Sequence, residues 1–244
     1  MEIQEAPIAL DEYAALDPLE RVAWVDRRYG RRAILLSSMQ KTAGVLMHLI
    51  HRARARIAIL FVDTEFHFAE TLQTRDRFVE RYGLRIVTVH PALSPDEQRR
   101  EYGCELHQFA DGQPVCCELR KERPFLDAAR AMRAGALVSG LMRSEGGSRA
   151  KIQPIGYDPR LLCPVYHPIF DWDEARVDAY AAEWGVPVHP LHARSYPSIG
   201  CAPCTTPVRE GEDKRAGRWR HLKGSNGSRP HYCGVNYIDR GAGI

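Results

Sequence analysis

Ala33-Ile-Leu-Leu-Ser-Ser-Met-Gln-Lys-Thr42 is the stretch that decides the fold. Four apolar residues run into small hydroxyl residues, and apolar positions then recur at Val45, Leu46, Leu49 and Ile50. That recurrence has helical spacing, so the segment reads as strand, loop, helix. Downstream, Ile57–Val62 is a second short apolar strand, closed by Asp63-Thr64-Glu65. Phe66–Tyr82 reads as a helix ended by Gly83. Arg85–Val89 is a third strand, and Ala136–Ser139 a fourth after a helix around Pro124–Arg133. Asp171 with Glu174 three residues later reads as the cap of a further helix, stopped by Gly185. Upstream, residues 1–20 are acidic and helical at most. Strands alternating with helices, each strand a continuous apolar run, give an α/β domain with a parallel sheet. Ligands of such sheets bind beyond the strand carboxyl ends. Four segments fall there: Ser37–Thr42, Asp63–Glu65, Gly140–Arg149 and the loop from His192 onward.

The chain has 244 residues, 44% apolar and 27% charged, enough for a sizeable core. No run is long enough to span a bilayer, and Met1-Glu-Ile-Gln-Glu5 lacks the basic-then-apolar order of a leader. A cytoplasmic protein without membrane attachment is therefore expected. The net charge of +3 is too weak for an expected nucleic-acid partner. Arginine outnumbers lysine heavily. This fits either genomic base composition or a set of bidentate anion ligands.

The chemistry concentrates in the seven cysteines. An odd number argues against a disulfide framework. Cys116-Cys117 is an adjacent pair and Cys201-x-x-Cys204 a tight loop, so four thiolates can face one centre. Such a set reads as an iron–sulfur cluster, a zinc site, a redox dithiol or inert buried thiols. Adjacent cysteines reach two irons of a cubane more easily than one small tetrahedral ion. Cys104 and Cys163 lack such partners and read as small core residues. Cys233 follows a linker-like Gly224-Ser-Asn-Gly-Ser-Arg-Pro230, with Arg229 and His231 near enough to favour a thiolate. The first loop has no Walker pattern and no Ser-Gly-Gly-x-Asp-Ser, although its hydroxyls at a helix start suit an anion.

Cys116-Cys-Glu-Leu-Arg-Lys121, Tyr196-Pro-Ser-Ile-Gly-Cys-Ala-Pro-Cys204 and Gly211-Glu-Asp-Lys-Arg-Ala-Gly-Arg-Trp219 resemble the assimilatory sulfonucleotide reductases, in their iron–sulfur branch. Weaker motifs, Gly140 to Ala150 and Val62-Asp-Thr64, keep the same order. The resemblance implies a doubly flanked parallel sheet of the adenine-nucleotide alpha-hydrolase (PP-loop) type over residues 1–223, with a flexible tail at 224–244. It implies reduction of adenosine 5′-phosphosulfate to sulfite and AMP by thioredoxin, through an S-sulfocysteine on Cys233. Cys116, Cys117, Cys201 and Cys204 would hold a [4Fe–4S] cluster, with Lys121 linking cluster to substrate. Ser37, Ser38, Thr64, Arg143, Arg149, Arg215 and Arg218 would bind the nucleotide, and a homo-oligomer is expected. A 3′-phosphorylated substrate and an adenylating sulfurtransferase on the same fold are the alternatives. Four stretches depart from the family pattern: Met39–Thr42, Glu65, Ser144–Gly147, and Tyr232 with Asn236 around Cys233.

Overall fold

The computed structural model describes residues 10–222. Two short helices, α1 (Leu10–Ala15) and α2 (Pro18–Tyr29), lead into β1 (Ala33–Leu36) and α3 (Lys41–Arg52). Then come β2 (Ala58–Val62), α4 (Ala69–Tyr82), β3 (Ile86–Val89) and α5 (Pro95–Tyr102). A helical stretch follows, α6 (Gly112–Cys117) and α7 (Arg123–Ala131), before β4 (Ala136–Val138). A hairpin, β5 (Ile155–Asp158) and β6 (Cys163–Tyr166), and α8 (Glu174–Glu183) complete the regular elements.

The strands form one sheet of order β3-β2-β1-β4-β6-β5, parallel except for the β5–β6 pair. Alternate residues of β1 serve opposite faces. Ala33 and Leu35 join a core with Val45, Leu46 and Leu49 of α3, while Ile34 joins Phe125 and Ala129 of α7. Both faces are covered, which is why β1, β2 and β4 read as unbroken apolar runs. Parallel pairing also continues past the strand ends. Ser37 N–H donates to the Leu60 carbonyl at 2.8 Å, Asp63 to Val89 at 2.9 Å and Ser139 to Tyr166 at 2.9 Å. The loops after β1, β2 and β4 therefore open on one edge. The chain reverses direction across the sheet between β1 and β4, the place where such sheets form a ligand crevice.

Three sequence expectations shift, each for a local reason. The helix expected from Phe66 begins at Ala69, because the Phe66 carbonyl accepts Ala202 N–H at 2.7 Å and Phe68 is extended. The cap of α8 is Asp173, whose carboxylate accepts Arg176 N–H at 2.8 Å. Asp171 instead receives Arg21 at 2.8 and 3.1 Å, and the same buried guanidinium reaches the Ala14 and Pro168 carbonyls. Cys163 is buried against the β1–β2 face, as expected, but Cys104 lies half-buried in the turn after α5. The β5–β6 hairpin had no signal, since Pro164 interrupts the strand pattern. The proline is accommodated because pairing with β4 starts only at Val165.

His189 is a buried group whose protonation state the fold selects. Its Nδ1 accepts Leu191 N–H at 3.3 Å, so its Nε2–H donates to Thr71 Oγ1 at 2.9 Å. Burial first, then the neighbouring His192, lowers its pKa from 6.5 to about 4. The folded state thus binds fewer protons than the unfolded state between those values. The stability it contributes is complete above pH 6.5 and is lost as pH falls toward 4. His189→Asn, which keeps an acceptor for Leu191, should show a smaller drop in melting temperature between pH 7.5 and 5 than the parent protein. Parallel thermal melts check this.

Candidate functional site

The helical stretch from Gly112 to Ala131 is continuous, but residues 118–122 widen into a π-type turn. Pro124 explains the widening: it has no N–H for the Arg120 carbonyl, and its ring would collide with that carbonyl in a regular helix. Such turns redirect side chains and recur at functional sites. Here the turn carries Arg120 and Lys121 immediately after Cys116 and Cys117. The start of α6 is pressed onto the preceding turn, where a Cβ on Gly112 would lie 2.4 Å from the Leu106 carbonyl oxygen.

The second cysteine pair sits in a loop closed by its own backbone. Thr205 pairs with Arg218 in an antiparallel bridge, Thr206 N–H donates to Gly217 at 2.9 Å and Trp219 N–H to Cys204 at 2.9 Å. Ala202 N–H ties the loop to Phe66, and the Gln40 side chain accepts Ile199 N–H at 3.1 Å. The loops after β1 and β2 thereby hold the loop of Cys201 and Cys204 in place.

Cys116, Cys117, Cys201 and Cys204 line one pocket together with Lys121 and Arg218. Phe66, His107, Gln113, Arg120, Pro203 and Trp219 complete its wall. Three of the four sulfurs meet polar groups. Gln113 Nε2 donates to Cys117 Sγ at 3.0 Å, Gln98 Nε2 to Cys116 Sγ at 3.8 Å, and Thr64 Oγ1 lies 3.4 Å from Cys201 Sγ. Burial raises the pKa of the Cys116 thiol and pushes that of Cys204 up to about 12, with Cys201 adding to the latter. Among the described residues no group of three or more His, Cys, Asp or Glu is arranged to hold a single metal ion. The donor set itself suits an iron–sulfur cluster: four soft sulfurs in two pairs, with N–H and O–H groups aimed at them.

Arg218 is buried, 4.6 Å above the Trp219 ring, and hydrogen-bonds Ser198 Oγ and the Ile199 carbonyl. Its Nε is a buried donor with no hydrogen-bond partner among the described residues. Arg215, exposed, reaches the same Ser198 oxygen at 3.5 Å. Thr64 is buried in the turn after β2. Ser37, also buried, accepts Met39 N–H at 3.2 Å, and Ser38 is exposed beside Gln40. Arg143 follows β4, packs over Phe170 at 4.7 Å and donates to the Ile152 carbonyl. Arg149 pairs with Glu145 at 2.8 Å. Ser37, Ser38, Arg143 and Arg149 belong to the loops after β1 and β4, outside the cysteine pocket. Cys233 and the expected tail lie outside the described residues.

Arg120, Gln98, Gln113 and Trp219 were not expected from sequence. Arg120 is the most connected of them. It is 1% exposed and donates to Thr64 O at 2.7 Å, Leu93 O at 3.0 Å, Gln98 Oε1 at 3.2 Å and Glu65 Oε2 at 2.9 Å. Its position beside a cysteine pair was the available signal, but an arginine in a charged run normally reads as solvated.

The sheet order, the crevice at its switch point and the sulfur-lined pocket define a nucleotide-type α/β protein with a thiol-rich centre. Residues 32–207 match the phosphoadenosine phosphosulfate reductase domain, and the chain belongs to that family. It is 39% identical to an adenosine 5′-phosphosulfate reductase of Streptomyces coelicolor, across 82% of this chain and 83% of that one. It is 37% identical to that of Halalkalibacterium halodurans (90% and 91%) and 35% to adenosine 5′-phosphosulfate reductase 1 of Bacillus subtilis (89% and 90%). In fold it is similar to a phosphoadenylyl-sulfate reductase of Candida auris, with TM-score 0.72 and 21% identity over 84% of this chain and all of that one. A Candida glabrata FMN adenylyltransferase shares the architecture at TM-score 0.55 and 12% identity, over 87% and 73%. Among the described residues no helix is long and apolar enough to cross a membrane.

Gly217 tests the loop that presents Cys204 and Arg218. A Cβ there would sit 2.0 Å from the Thr206 carbonyl oxygen, which is backbone and cannot swing aside. Gly217→Ala should cost about 1–3 kcal/mol, the range for forced overpacking. Denaturant unfolding of the variant and the parent protein reads it.

Proposed function

We propose that the chain reduces adenosine 5′-phosphosulfate to sulfite and AMP, with thioredoxin as reductant. The observation that carries this reading is the convergence of both cysteine pairs, Lys121 and Arg218 on one pocket, in a chain 35–39% identical to proteins named for that activity. The Cys233 thiolate attacks the sulfate sulfur, and the bond from sulfur to the bridging phosphate oxygen breaks. AMP leaves with that electron pair, and the sulfo group remains on Cys233. A thioredoxin thiolate attacks the Cys233 sulfur and releases sulfite. The second thioredoxin thiol then resolves the mixed disulfide, so two electrons pass from dithiol to sulfate. The attacking thiolate and the substrate are both anionic, so attack needs fixed positive charge where the negative charge collects. Lys121, Arg143, Arg149, Arg215 and Arg218 supply it in this reading, and Ser37, Ser38 and Thr64 cradle the nucleotide. The unpartnered Arg218 Nε supports that role.

Cys116, Cys117, Cys201 and Cys204 would hold a [4Fe–4S] cluster, which would supply a fixed local charge beside Lys121 and not the net electrons. Gln98, Gln113 and Thr64 orient the sulfurs. Replacing any one of the four cysteines with Ser should strip iron and sulfide from anaerobically purified protein, while Cys163→Ser retains them. Metal and sulfide analysis decides; a variant at full loading removes that cysteine from the ligand set.

Cys233→Ser should bind nucleotide and keep its iron yet form no covalent adduct, because a serine hydroxyl stays protonated at neutral pH. The parent protein, given adenosine 5′-phosphosulfate without thioredoxin, should gain one sulfo group on the peptide carrying Cys233. Thioredoxin should then discharge it as sulfite. Peptide mass spectrometry reads both; normal sulfite release by Cys233→Ser overturns the assignment.

A further inference from the structure

The family is named for a nucleotide with an additional phosphate on its ribose, whereas the relatives at 35–39% identity are named for the nucleotide without it. Something in the site must tell a ribose hydroxyl from a ribose phosphate. We propose that the Glu65 carboxylate is that specificity-determining group, accepting a hydrogen bond from the ribose and repelling a phosphate in its place. The inference rests on the proposed nucleotide substrate and deepens it.

Glu65 occupies the turn after β2, beyond a strand carboxyl end, where sheets of this kind receive nucleotides. Its backbone is left-handed, with φ of 57°, a conformation that favours glycine. The Asp63 carboxylate accepts Glu65 N–H at 2.9 Å and fixes the turn. Arg120 fixes the carboxylate, donating to Oε2 at 2.9 Å, while Oε1 lies 3.7 Å from His90 Nδ1. The side chain is still 34% exposed, against 1% for Arg120.

Arg120 does not reverse the sign of the site for an incoming phosphate. Its Nε–H serves Thr64, its two NH1 hydrogens serve Leu93 and Gln98, and one NH2 hydrogen serves Glu65. Four of its five N–H donors are thus engaged in a buried position. What the turn presents outward is a carboxylate. Nucleotide folds use an acidic side chain at a strand end to bind a free ribose hydroxyl, and an arginine where the ribose is phosphorylated.

The test measures binding by calorimetry on the full-length, anaerobically purified protein, with AMP and adenosine 3′,5′-bisphosphate as the probes. The parent protein should prefer AMP. Glu65→Gln keeps the size of the side chain and an acceptor for Arg120 but removes the charge. Glu65→Gly removes the side chain and the strained backbone together. In both variants the ratio of the bisphosphate Kd to the AMP Kd should fall about tenfold, as removal of a like-charge contact requires. An unchanged ratio in both variants overturns the inference while leaving the proposed function standing. A parent protein that binds both ligands equally does the same. A parent protein that binds neither overturns the proposed function, and this inference with it.

Discussion

The buried guanidinium of Arg120 is the interaction on which the arrangement of the site depends. A planar group with five donors in a fixed fork can address several acceptors at once, which a lysine ammonium cannot do with the same rigidity. Arg120 uses that fork to join the turn after β2, the loop at Leu93 and α5, while its own backbone lies in the π-type turn after Cys117. Two of its partners lead back to sulfur: Gln98 to Cys116, and the Thr64 side chain to Cys201. The two cysteine pairs are thus indexed to each other through polar contacts as well as through any shared centre. An unpaired buried charge would be costly, and here it is matched by one carboxylate and three neutral oxygens.

The same economy governs the loop of Cys201 and Cys204. It has little regular structure of its own, yet its Ala202 N–H finds a partner on the turn after β2, and Ile199 N–H reaches the loop after β1. Loops held at both ends by a rigid sheet can place side chains without a secondary-structure element beneath them. That is how a segment rich in proline and glycine carries two thiols and two arginines in defined positions.

β1, β2 and β4 were legible because burial on both faces leaves an unmistakable apolar run, as at Ile34–Leu36 and Ile59–Val62. The β5–β6 hairpin was not, because Pro164 and the polar end of β5 break that pattern. Local capping rules found the right helix at α8 but the wrong aspartate, since Asp171 is claimed by Arg21 from far upstream in sequence. The cysteine pairs announced themselves by spacing, and the pocket gathers all four. Arg120 and Gln98 were invisible for the converse reason: whether a polar residue in a helix faces solvent or a buried oxygen is settled by tertiary neighbours. Ser37, Ser38, Arg143 and Arg149 are placed by the sheet on the same edge, but outside the sulfur-lined pocket.

Two residues at that edge, Met39 after β1 and Glu65 after β2, adopt left-handed backbones without being glycine, at φ of 58° and 57°. Such a conformation costs of order 1–3 kcal/mol and persists only where surrounding contacts enforce it. For Met39 the compensation is burial. The side chain is 1% exposed in the main core, and sequestering a methionine is worth about 1.5–3 kcal/mol, enough to offset the strain. Glu65 has no such apolar gain, being one-third exposed. Its compensation is electrostatic, the ion pair with Arg120, and that pair exists only because Arg120 is already committed to the loops on either side. The turn after β1 is therefore held by the core and would survive loss of the site. The turn after β2 is held by the site itself, so its shape and the placement of Arg120 depend on each other.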